Sequence, residues 1–116
     1  MPDHYHDPSD RQYNRALREG APREWDAFIN LDNVVGFEDG VIPHKYRELI
    51  AVAVALTTQC AYCIEAHSTA AQKAGVTKEE LAEAVFLAAA LRAGGGFAHG
   101  RMAMKFFEQA GKAPGG

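Results

Sequence analysis

Four residues have types and spacings that allow chemistry together: Cys60 and Cys63, separated by two residues in Cys60-Ala61-Tyr62-Cys63, His67 four positions further on, and Glu48 upstream. On a helix, residues i and i+3 share a face, so the two sulfurs can close a disulfide with local adjustment. A cysteine at a helix N-terminus meets unsatisfied amides and the positive end of the helix dipole, both of which favour its thiolate. His67 lies one turn beyond Cys63 on the same face, where it can give or take a proton. The plainer alternatives are two small buried hydrophobes and a hydrogen-bonded core histidine. The paired cysteine spacing at a helix start favours redox chemistry.

Glu48 can join this group only if the chain reverses. On one continuous helix it would stand about 18 Å from Cys60. A reversal at Thr57-Thr58-Gln59 makes the two helices antiparallel, and Glu48 then lies about as far before the turn as His67 lies after it. A carboxylate beside a long apolar run needs a partner, and imidazole supplies one while its own orientation is set in return. The expected constellation is a relay from Glu48 through His67 to Cys63, with Cys60 in disulfide reach. Pairing of Glu48 with Arg47, Lys45 or a neighbouring subunit is the alternative.

The elements that must hold this group are helices. Pro43 suits a helix N1 position, and KYRELIAVAVAL follows it, apolar nearly all round from Leu49 to Leu56 and so expected to be buried on most sides. CAYCIEAHSTAAQKAG reads as the next helix, stopped by Gly75 at C′. Thr77-Lys78-Glu79-Glu80 is a capping box that opens a further helix with Leu81, Val85, Ala88 and Leu91 on one face. Gly94-Gly95-Gly96 is expected to break it, leaving a last helix from about Phe97 to Gln109 and then a Gly/Pro tail. Upstream, Ser9 or Asp10 can cap a short helix to about Arg18, and Gly20-Ala21-Pro22 separates it from a helical stretch carrying Trp25, Phe28, Ile29 and Leu31. Residues 1–8 read as a polar tail, with His4 and His6 solvated. His99 reads as structural or interfacial, and Tyr62, off the cysteine face, as packing. No window alternates with period two, so the fold class is all-α.

With 116 residues, one domain is expected over residues 1–116. A net charge of -3 and a pI of about 5.9 give no basic stripe, which argues against nucleic acid. The first residues show no basic segment followed by an apolar run, and no stretch reads as the roughly 20 apolar residues that span a bilayer. A cytoplasmic location without membrane contact is therefore expected. There, reducing thiol pools keep structural disulfides open, so the CxxC points to redox chemistry or metal. The alanine-rich second half buries little area per residue, and other subunits are expected to cover it.

Over about residues 42–108, and most specifically in RELIAVAVALTTQCAYCIEAH, the sequence resembles the carboxymuconolactone decarboxylase superfamily and its alkyl hydroperoxidase D-like (AhpD-like) branch. The resemblance implies an all-helical bundle with a central antiparallel helical hairpin carrying the CxxC, assembled as a homo-oligomer, trimer or hexamer. It further implies reduction of hydroperoxides, with Cys63 as the peroxide-attacking cysteine, Cys60 as the resolving one, and Glu48 and His67 at the proton-relay positions. A thioredoxin-like or lipoyl-bearing protein would be the reductant, and no flavin, haem or metal cofactor is called for. Tyr62 stands where peroxidase members of that branch carry a histidine. Two other functions fit some of the same residues: acid/base decarboxylation or isomerisation of a lactone acid through His67 and Glu48 without the cysteines, and a non-enzymatic zinc-binding or scaffold module built on Cys60, Cys63 and His67.

Overall fold

The computed structural model describes residues 7–37 and 40–112; the rest of the expected N-terminal tail, with His4 and His6, and the final Pro114-Gly115-Gly116 lie outside the described residues. A 3-10 turn, Pro8–Tyr13, leads into α1 (Asn14–Gly20), followed by α2 (Pro22–Phe37), α3 (His44–Thr58), α4 (Ala61–Lys73) and α5 (Lys78–Lys112). Among the described residues there is no strand, and the all-α expectation holds.

The cap of the first turn is Asp7, neither Ser9 nor Asp10. Its side chain accepts from Ser9 N–H at 2.9 Å while Asp10 returns a bond to the Asp7 backbone. Pro8 at the start explains the choice, because its fixed φ and missing N–H suit a helix N-terminus. Asp7 and Pro8 therefore belong to structure rather than to the tail. Pro43 stands one position earlier than expected, as the N-cap of α3.

The reversal after α3 is as short as it can be. Gln59 adopts a left-handed conformation (φ 57°), and Cys60 N–H donates to Ala55 O at 3.1 Å, a Schellman-type closure. Gln59 is the C-cap of α3, and Cys60, next to it, is the N-cap of α4. Gly75 ends α4 as expected, with φ 91° and Val76 N–H bonded to Ala71 O at 3.0 Å. Thr77 and Glu80 then form the expected capping box of α5. Glu80 also meets Lys45 of α3 at 3.1 Å, and the Thr77 backbone bond, with Lys45 behind it, holds its carboxyl below the usual range.

α5 does not break at Gly94-Gly95-Gly96. Each glycine costs about 1 kcal/mol relative to alanine in a helix, but none removes a hydrogen bond as proline would. Strong helix formers, Leu91-Arg92-Ala93 before and Met102-Ala103-Met104-Lys105 after, carry the helix through. Joining two apolar stretches also makes α5 long and apolar enough, by length and composition, to cross a bilayer, which reverses the expectation that no such segment exists. A core helix of an assembly has the same length and composition.

α3 is covered on fewer sides than its sequence led one to expect. Val52 and Ala55 are buried against α4 and α5, whereas Ile50 and Val54 remain 49% and 54% exposed. Among the described residues only Val52, Ala55, Ala71, Ala88 and Glu48 are buried, and α5 is exposed throughout beyond Ala88. The radius of gyration, 19.9 Å, exceeds the roughly 13 Å of a compact chain of this length. The protomer is an open frame around one tight hairpin.

Candidate active site

That hairpin holds the four residues singled out by sequence as two pairs, Cys60 with Cys63 and Glu48 with His67. Cys60 and Cys63 are joined as a disulfide, with Cα atoms 5.2 Å apart. Cys60 caps α4, its Sγ accepting from Cys63 N–H at 3.2 Å. An amide of the first helical turn thus already points at that sulfur, the geometry that stabilises sulfur carrying negative charge.

Glu48, on the second turn of α3, is 3% exposed. Its Oε2 lies 2.7 Å from His67 Nδ1 on α4. A carboxylate accepts, so the imidazole proton sits on Nδ1 and Nε2 is left as the nitrogen that can exchange a proton. His67 stands one turn after Cys63 on the same helix. The expected pairing of Glu48 with His67 is thus the one found. Of the alternative partners, Lys45 is committed to Glu80, and Arg47 donates to Ile42 O and Val35 O, both at 3.0 Å. Those two bonds fasten the end of α2 and the approach to α3 beside the site.

A cavity of about 330 Å³ opens next to this pair, with Val35, Ile42 and Ile50 on its apolar side and Arg47, Glu48 and His67 on its polar side. The cysteines are not part of its wall. Arg92 of α5 donates to Thr57 O, tying the third helix to the tip of the hairpin.

Tyr62 does not act as packing. It is half exposed, and its hydroxyl donates to Asp10 Oδ2 at 2.6 Å, fastening the N-terminal turn beside the start of α4. His99 bonds the Gly95 carbonyl of its own helix and stands outside the cluster. His44 was missed by sequence reasoning. It opens α3, and its Nε2 lies 3.6 Å from Glu48 Oε1. The signal was available: four residues before Glu48 on a helix is one turn, the same spacing that links Cys63 to His67. Among the described residues no three His, Cys, Asp or Glu side chains are arranged to hold a metal ion.

The model of the carboxymuconolactone decarboxylase family matches residues 22–106. The match takes in α2, well before the residue 42 at which the sequence resemblance was placed. The chain is 44% identical over 84 residues, 72% of its length and 75% of the relative's, to uncharacterized protein 4 in the cox locus of Paracoccus denitrificans. It is 31% identical over 98 residues, 84% of its length and 85% of the relative's, to an uncharacterized protein of Cupriavidus necator.

Proposed function

The chain belongs to the carboxymuconolactone decarboxylase family, and from that premise we propose that it is a thiol-dependent reductase of organic hydroperoxides. The observation that carries the reading is a buried Glu48 bonded to His67, which follows Cys63 by one turn of the same helix, with Cys63 and Cys60 joined as a disulfide. In the reduced protein, His67 Nε2 takes the Cys63 proton. The Cys63 thiolate then attacks the O–O bond; the sulfur becomes a sulfenic acid, and the leaving alkoxide takes a proton from His67 and departs as alcohol. Cys60, its sulfur held by the first-turn amide, attacks that sulfenic acid, expelling water and forming the disulfide. An external dithiol, a thioredoxin-like or lipoyl-bearing protein, restores both thiols by exchange. No metal or organic cofactor enters this sequence. Reduced protein treated with an organic hydroperoxide is expected to lose two hydrogens by mass spectrometry and to consume the oxidant stoichiometrically. Free thiols beside persistent hydroperoxide would rule the reading out.

One observation favours a second reading, acid/base chemistry on a lactone acid: the cavity touches Glu48 and His67 but not the sulfurs. That chemistry has no use for vicinal thiols. A decarboxylase activity that survives replacement of both cysteines by serine would select it.

The protomer also calls for company. Phe97, Met104, Phe106 and Phe107 are all exposed on the second half of α5, an apolar surface of the kind that marks an interface. We assign it to other copies of the chain, in a cytoplasmic homo-oligomer, rather than to lipid. The first turns of α5 pack on α3 through Ala88, and Arg92 is engaged with the hairpin at mid-helix, both at odds with insertion in a bilayer. Light scattering is expected to give a trimer or hexamer of the 12.6 kDa chain, and Phe97→Asp with Met104→Asp to dissociate it. A stable monomer, or partitioning of the wild type into lipid vesicles, would contradict the assignment.

A further inference from the structure

Glu48 has two carboxylate oxygens, and the relay uses one. Oε2 serves His67; Oε1 faces His44 Nε2 at 3.6 Å, a contact just beyond hydrogen-bonding distance in the disulfide form. The other imidazole nitrogen, His44 Nδ1, is buried and has no hydrogen-bond partner among the described residues. A buried N–H without an acceptor is costlier to leave than a bare lone pair. The unpartnered position therefore belongs to the lone pair, and the proton of His44 sits on Nε2, facing the carboxylate. No other ion pair competes for that proton: Lys45 is paired with Glu80 of α5, Arg47 is bonded to backbone carbonyls, and Glu48 is the only carboxylate within 4 Å of the His44 ring among the described residues.

We infer that His44 is a positioning residue: by engaging Oε1 from one side, it fixes the plane of the Glu48 carboxylate so that Oε2 meets His67 Nδ1 and His67 Nε2 stays free for proton exchange. The kinetic consequence rests on the peroxide-reductase reading; the tautomer consequence does not. A carboxylate held at only one oxygen can rotate about its last bond, and His67 then loses the acceptor that selects its tautomer. Catalytic contacts also commonly tighten as the reacting state forms, so a 3.6 Å separation in the oxidised protein is compatible with a bond in the reduced one.

The experiment uses the full-length protein labelled with 15N in histidine, at one fixed pH. Ring-nitrogen shifts report which nitrogen of His67 and of His44 carries the proton. Wild type is expected to show the proton on Nδ1 of His67 and on Nε2 of His44. His44→Ala should mix the His67 tautomers and lower kcat for organic hydroperoxide about tenfold, a fraction of what a general acid/base contributes, with KM unchanged. His44→Gln, whose amide can reach Oε1 as Nε2 does, should restore the single tautomer and most of kcat. An unchanged His67 tautomer and kcat in His44→Ala would overturn the inference, as would a folded His44→Gln no better than His44→Ala. Should His44→Ala fail to fold, the wild-type spectrum still decides: a proton on His44 Nδ1 overturns the inference. If the wild type reduces no hydroperoxide, the peroxide-reductase reading fails, while the tautomer measurements still judge His44.

Discussion

Replacing Cys63 with serine is expected to reduce peroxide-driven turnover by about three orders of magnitude or more, because it removes the attacking atom itself. Serine keeps the shape and the helix but has no accessible anion near neutral pH. Cys60→Ser should behave differently. The attack on peroxide still proceeds once, but no neighbouring thiol condenses with the product, so Cys63 accumulates as a sulfenic acid and the protein gains one oxygen instead of losing two hydrogens. The contrast tests the assignment of roles, since Cys60, as the helix cap with an amide donor 3.2 Å from its sulfur, is on electrostatic grounds the better stabilised thiolate. If Cys60→Ser is the variant that fails to react with peroxide while Cys63→Ser takes up oxygen, the order of the two cysteines is the reverse of that proposed.

The second large effect is expected at Glu48. Glu48→Gln is close to isosteric, but its amide can present a donor to His67 Nδ1, which drives the imidazole proton to Nε2 and leaves no base facing the cysteine. Turnover should fall by about 10²-fold to 10⁴-fold with the fold intact. Glu48→Ala should add a stability loss, on the order of 1–3 kcal/mol for a partly buried imidazole left without its partner. Rates and thermal or denaturant unfolding measured together separate the two effects. A Glu48→Gln protein with wild-type rates would mean that His67 needs no orienting carboxylate and that the relay is misassigned.

The hairpin and its Glu48–His67 contact were legible because each depended on local rules that the tertiary structure did not override. Gln59, the last of the Thr57-Thr58-Gln59 step, supplied the break, the CxxC supplied the helix start, and burial of Glu48 called for a partner that His67 of the opposite helix supplies. Gly75 and the Thr77–Glu80 capping box were equally local. The failures came where a local rule met a competing term. The glycine run reads as a stop by propensity, yet three weak residues inside a long run of good helix formers lower helix stability without removing any hydrogen bond. The apolar belt of α3 reads as buried all round, yet a single chain has too few elements to surround it, so Ile50 and Val54 stay exposed in the protomer. His44 escaped notice because its chemistry lies in its relation to Glu48, and attention to histidines near the cysteines skipped the one at the far end of the preceding helix.

The joint between α3 and α4 carries one more implication. Since the cap that ends α3, Gln59, is followed directly by the cap that opens α4, Cys60, the connection has no slack. One residue gained or lost there would turn α4 by about 100° relative to α3, swinging His67 away from Glu48 and carrying Cys63 with it. At this corner, the count of amino acids itself decides whether Glu48 and His67 meet.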